Sequence, residues 1–113
     1  MGAQFLYARL PHLAPSPINF NVSGDNILVP AVALYRINIH RIWFIVAAGM
    51  NIVFKDGVGG TAFNGAASML ANGTFTLDIT GEPWFTTTIG NDFVLNTDAA
   101  GQVGGVIFYK LDQ

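Results

Sequence analysis

Residues 35–47 read Tyr35-Arg36-Ile37-Asn38-Ile39-His40-Arg41-Ile42-Trp43-Phe44-Ile45-Val46-Ala47, and their pattern changes half-way. As far as His40, apolar and polar residues alternate with period two, the signature of a strand with one wet face. From Arg41 to Ala47 both parities are apolar, so both faces of that stretch require cover. A partner subunit is one source of cover; the core on one side and the chain's own N-terminal segment on the other is the second.

The same alternation recurs outward from this stretch, divided by turn signals. Ile18, Phe20 and Val22 alternate with asparagines before Ser23-Gly24-Asp25-Asn26, and Ile27 to Val29 leads on through Pro30. Downstream, Met50, Ile52 and Phe54 close on Asp56-Gly57, a signal for a tight hairpin turn, with Val58 to Phe63 returning alongside. Thr74 to Thr80 is the cleanest strand, with Phe75, Leu77 and Ile79 on one face and Thr76 and Asp78 on the other. Trp84 to Thr88, Phe93 to Leu95 and Val103 to Leu111 complete the series, the last with Ile107, Tyr109 and Leu111 on one face. Asn64-Gly65 and Asn72-Gly73 bracket Ala66 to Ala71, which fits either a short helical turn or a loop.

With no helical periodicity of useful length, this pattern implies an all-β fold. A jelly-roll-like β-sandwich of about eight antiparallel strands fits best, and an immunoglobulin-like sandwich is the alternative. The sandwich is expected over residues 18–113 as one domain. Residues 1–17 carry Pro11, Pro15 and Pro17 among Phe5, Leu6, Tyr7, Leu10 and Leu13, so they read as an extended N-terminal arm. Disordered tails are poor in large apolar residues, which favours an arm that docks on a neighbouring subunit over a frayed terminus.

Composition narrows the function. Of 113 residues, 51% are hydrophobic and 11% charged, against roughly 25% charged in ordinary soluble domains. So little charge implies surface buried against other protein. The net charge of −2 comes with five scattered cations, Arg9, Arg36, Arg41, Lys55 and Lys110, which form no basic stripe for phosphates, so direct nucleic-acid binding is not expected. The apolar run Ile42 to Phe54 is interrupted by Gly49 and Asn51 and is too short for a membrane helix; it reads as a strand pair. No export or lipid-anchoring signal is read at the N-terminus, so the sequons at Asn21 and Asn72 are taken as chance. The absence of cysteine suits folding in a reducing cytoplasm.

A search for chemistry finds little. His12 and His40 have no second ligand at metal-binding spacing, and none of the three serines sits in a nucleophile elbow. Asp25, Asp56, Asp78, Asp92, Asp98 and Asp112 fall mostly in turns, where aspartate caps backbone amides. Glu82 alone offers the longer acid side chain. The glycine clusters at 57–60 and 101–105 lead into no helix and carry no lysine, and read as turns and bulges. No catalytic, metal or cofactor residues are therefore assigned. Trp43, Trp84 and Phe85 fit core packing, an oligomer or capsid interface, or a sugar-stacking platform. Together with Phe5, Leu6, Tyr7 and Leu10 they form the candidate interface set.

The order of features from about Ile37 to Tyr109 carries a resemblance. An Ile-rich strand precedes Met50 to Phe54 with a Gly turn, a small-residue loop ends in Ala71-Asn72-Gly73, and a Phe-x-Leu strand follows; then come Trp84-Phe85 before Gly90 and a terminal Gly104-Gly105-Val106 strand with Tyr109. In this the chain resembles the small jelly-roll decoration, or cement, proteins of tailed-phage heads. The resemblance implies a non-enzymatic virion protein, made in the host cytoplasm, that binds the major capsid protein from outside as a homotrimer and clamps the shell. The residues of the arm do not align with that group. A receptor- or glycan-binding module of a phage tail or head fibre is the rival reading, with Trp84 and Phe85 as its platform.

Overall fold

Each alternating segment has one apolar face to bury, and two antiparallel sheets packed face to face bury them all. The computed structural model describes residues 13–78 and 81–113. Its strands are β1 (Ala14–Phe20), β2 (Gly24–Val29), β3 (Arg36–Val46), β4 (Met50–Asp56), β5 (Thr61–Ala62), β6 (Ala67–Met69), β7 (Thr74–Asp78), β8 (Phe85–Thr86), β9 (Phe93–Thr97) and β10 (Val103–Asp112). Sheet A has the order β1-β10-β3-β7, with β8 further along the same edge of β3; sheet B has the order β2-β9-β4-β5, with β6 further along the same edge of β4. Counting β5 with β6 and β7 with β8 as single interrupted strands, the sheets take the first, last, third and sixth strands and the second, seventh, fourth and fifth. That winding is a jelly roll, as the alternation implied.

Three expectations need adjustment. Pro15 and Pro17 lie within β1, paired with Phe108 and Val106. On an edge strand every second N–H faces away from the sheet, so two prolines of one parity are tolerated there. The arm expected over residues 1–17 therefore gives way to sheet from Ala14 onward, and its candidate residues Phe5, Leu6, Tyr7 and Leu10 lie outside the described residues. Second, Asp56 pairs with Thr61, so the turn is a longer loop over residues 57–60 and not a tight two-residue one, with Gly57 at φ +89°. Third, the undecided segment after Asn64 contains β6, which pairs Ala67–Met69 with Ile52–Met50.

The core lies between the sheets. Ile37, Ile39, Ile42, Phe44 and Val46 of β3 face Met50, Ile52 and Phe54 of β4 and Phe93 and Leu95 of β9, all buried. Phe54 is the hub of a phenylalanine cluster, with ring centroids 5.2 Å from Phe85, 5.5 Å from Phe75 and Phe93, and 6.4 Å from Phe44. Gly105 stands opposite Phe44 in β10, where a side chain would collide with the Trp43 carbonyl and with Phe44 itself. This glycine serves close strand packing, neither a turn nor a bulge. The irregularity of β10 falls later, between Phe108 and Tyr109, where His40 is the extra residue of β3.

Candidate interaction surface

Strand parity decides what sheet A shows to solvent. With Ile42, Phe44 and Val46 turned inward, Arg41, Trp43 and Ile45 turn outward, and their cross-strand neighbours do the same. Three rows cross the face: Asn19, Gly104, Ile45, Thr74; then Pro17, Val106, Trp43, Thr76; then Pro15, Phe108, Arg41, Asp78. Trp43 is 46% exposed and Ile45 45%. The second face of the stretch, which the sequence said required cover, is thus left open by the described residues, 13–78 and 81–113.

One ion pair lies on this face. Arg41 Nε stands 2.8 Å from Asp78 Oδ1, and a terminal guanidinium nitrogen donates to Asp78 Oδ2 at 3.3 Å. The guanidinium also sits 5.7 Å from the centroid of the Phe108 ring. Between them and Trp43 is a shallow hollow of about 210 Å³, floored by Leu77. Both partners are about half exposed, so the pair contributes little to folding, on the order of 0.2–1 kcal/mol. Towards Lys110 the face closes over: Asn38 and His40 are buried, and Asn38 accepts a hydrogen bond from the Thr86 hydroxyl at 2.8 Å. Burial first, and the nearby Lys110 charge second, hold the His40 imidazole below its usual range.

Of the residues singled out from sequence, Trp43 stands at the middle of this face. Trp84 is 45% exposed just before β8, its backbone N–H donating to the Ile39 carbonyl at 2.7 Å. Phe85 does not belong to the set. It pairs with Ile39 and turns inward, its ring 5.1 Å from Phe63 and 5.8 Å from Phe93. The structure adds Ile45, Val106 and Phe108. Their signal was present, since Val106 and Phe108 alternate with Ile107 and Tyr109, but both parities of β10 are apolar and the sequence does not say which faces in.

A second apolar surface lies at one end of the sandwich, where the loops over 30–35, 57–60 and 87–92 are laced by hydrogen bonds. Gly90 N donates to Tyr35 O at 2.9 Å, Gly57 N to Asp92 O at 2.8 Å, and Ala31 N to Asp92 Oδ1 at 2.6 Å. These loops display Leu34, Val58 and Ile89, of which Leu34 is 73% exposed and at φ +72°. Tyr35 N donates to Val32 O, so Leu34 occupies the third position of a turn where positive φ favours glycine.

The carboxylates tie loops together across the fold. Asp25 accepts from Asn96 Nδ2 at 2.7 Å, Gly59 N at 2.7 Å and Lys55 Nζ at 3.1 Å. Asp56 accepts from Thr88 N, Thr88 Oγ1 and Asn91 Nδ2, and Asp98 from Asn51 N and Nδ2. Burial alone would raise the Asp25 and Asp56 carboxyls, but these donors outweigh it and hold both below the usual range. Asp98 is held low by the two Asn51 donors. The expectation that these aspartates sit mostly in turns is corrected, since Asp25, Asp56, Asp78 and Asp112 lie in strands; Asp25, Asp56, Asp92 and Asp98 do cap backbone amides, but amides of distant segments. Among the described residues no three His, Cys, Asp or Glu side chains form a group able to hold a metal ion.

Compared with known proteins, the chain matches no family model, no curated protein and no solved structure.

Proposed function

We propose that this chain is a structural, non-enzymatic virion protein: a decoration subunit that attaches to the outside of a phage head as a trimer and reinforces it by bridging adjacent capsid subunits. The open apolar face of sheet A carries this reading. A jelly roll that leaves Trp43 and Ile45 exposed beside the half-buried Val106 and Phe108, in a chain with 11% charged residues, is built to be buried in an assembly. The resemblance in feature order from Ile37 to Tyr109 supplies the particular assembly, and with it the partner, a major capsid protein. The test is to add purified protein to bare heads assembled from the major capsid protein encoded nearest to it. Saturable attachment and a higher disruption temperature of the heads are expected; heads that bind none of it sink the reading.

The rival glycan-binding reading changes position. Phe85 is half-buried with its ring packed against the core, so a platform of Trp84 with Phe85 loses much of its surface, whereas the hollow beside Trp43 offers an exposed indole flanked by the Arg41–Asp78 pair and the Thr76 hydroxyl. Quenching of Trp43 emission by neutral sugars at millimolar concentration is the observation that would favour it.

A further inference from the structure

We infer that the outer face of sheet A is where copies of this chain associate, each covering the Trp43–Ile45 ridge of another. The inference rests on the decoration reading only for the number three; the contact itself does not need it.

Gly104 points to a second copy. It lies in β10, between β1 and β3, directly opposite Ile45 and on the outer face. A glycine inside a central strand weakens that strand, and it is retained where the chain needs positive φ or where something approaches closely. Gly104 is not among the positive-φ residues, and a Cβ built there would meet nothing within 4 Å. Nothing among the described residues requires it. Its neighbour Gly105 is the opposite case, since Phe44 and the Trp43 backbone leave no room for a side chain. The internal demand explains one glycine of the pair, and the other answers to something outside.

The shape left by Gly104 fits the ridge beside it. Trp43 and Ile45 project, and Gly104 forms a dent flanked by Ile45 and Asn19. A ridge and a dent on one face let each copy receive its neighbour's ridge, whether the contact closes as a pair or as a ring of three. Charge agrees. Arg41 and Asp78 neutralise each other, so like copies meet without net repulsion there, and the pair can exchange partners across the contact. A strongly acidic or basic partner would find no counterpart on these rows. The sheet edges are blunted, by Pro15 and Pro17 on β1 and by the break between β7 and β8 on the other side, so copies join face to face and not edge to edge.

The experiment is light scattering and sedimentation of the full chain from about 1 to 200 μM, with Trp43 emission followed in a Trp84→Phe background. Expected is a mass that is a multiple of 12.1 kDa, with Trp43 emission shifting to the blue and losing access to acrylamide as association proceeds. Gly104→Val fills the dent, and Trp43→Lys removes the ridge. Each should raise the dissociation constant at least roughly 30-fold, as loss of an interface anchor does. Gly104→Val should also melt no lower than the wild type when both are monomeric, which separates an interface effect from misfolding. Ile27→Lys, on the outer face of sheet B, should associate as the wild type does. A wild type that stays monomeric throughout overturns the inference. So do variants that associate undiminished, or an Ile27→Lys effect as large as theirs. Wild type that associates yet leaves bare heads undecorated overturns the decoration reading and leaves this contact standing; a monomer that decorates heads does the reverse.

Discussion

The outer faces of the two sheets belong to one jelly roll and share its strand spacing, yet one covers its centre with its own charged side chains, leaving Ile27 bare on its edge strand, and the other leaves its centre bare. On sheet B, Asp25 gathers Lys55, Asn96 and the Gly59 amide, with both charged side chains under a fifth exposed. Beneath this layer Val94, which by parity points outward beside Lys55, has no exposure at all. On sheet A the charged pair is half exposed and stands beside Trp43, covering neither it nor Ile45. A face whose polar groups are satisfied within the chain is finished as a monomer. A face whose apolar groups remain bare is finished by assembly.

The sharpest way to break this comparison is to place the same charge on both faces. Val94→Asp puts a carboxylate under a closed polar layer, and should cost about 3–5 kcal/mol as an unpaired buried charge. Ile45→Asp, at a position 45% exposed, should change the stability of the monomer by less than about 1 kcal/mol. Urea titrations at low micromolar concentration measure both, and equal losses would erase the distinction. Next in size is Asp25→Ala, which strands Lys55, Asn96 and the Gly59 amide together. A loss of roughly 2–3 kcal/mol is expected, with self-association unchanged.

Acid should act first at His40, in the closed part of sheet A, and only lower down on the carboxylates. His40 is held low in the fold, so the unfolded chain takes up its proton first; this contribution is complete above pH of about 6.5 and declines as pH falls from there. Asp25, Asp56 and Asp98 are likewise held low, so their contribution is complete above about pH 4 and is lost as pH drops through their lower folded values. Melting temperature should therefore fall in two stages on acidification, and Asp25→Asn should flatten the lower one. The smallest effect is expected away from both faces. Leu34→Gly relieves a left-handed backbone at the loop end, and should stabilise the chain by up to about 1 kcal/mol in thermal melts.

Much of this contrast was legible in sequence because parity is local. Phe75 and Leu77 turn inward and Thr76 and Asp78 outward, as read from five residues of β7. The doubled apolar parity of 41–47 marked the face that stays bare. What escaped was set by partners far along the chain. Trp84 and Phe85 look interchangeable until pairing with Ile39 turns the phenylalanine into the core. Gly104 and Gly105 look like one turn until the register puts Phe44 behind only one of them. Pro15 and Pro17 look like the end of an arm unless β1 is known to be an edge. The aspartates look like local caps because nothing nearby reveals that Asp25 reaches Gly59 or that Asp92 reaches Ala31.

The pairing of β1 with β10 also has a consequence in time. A ribosome delivers the first strand long before the last, so β1 has no edge to join until β10 has emerged, and Ile18 waits in solvent for Ile107 and Val103. Folds dominated by such distant pairings close in milliseconds to seconds, where local ones take microseconds. Throughout that interval the nascent chain exposes the Ile37–Val46 strand on both sides, and the rate at which synthesis finishes sets how long it does so.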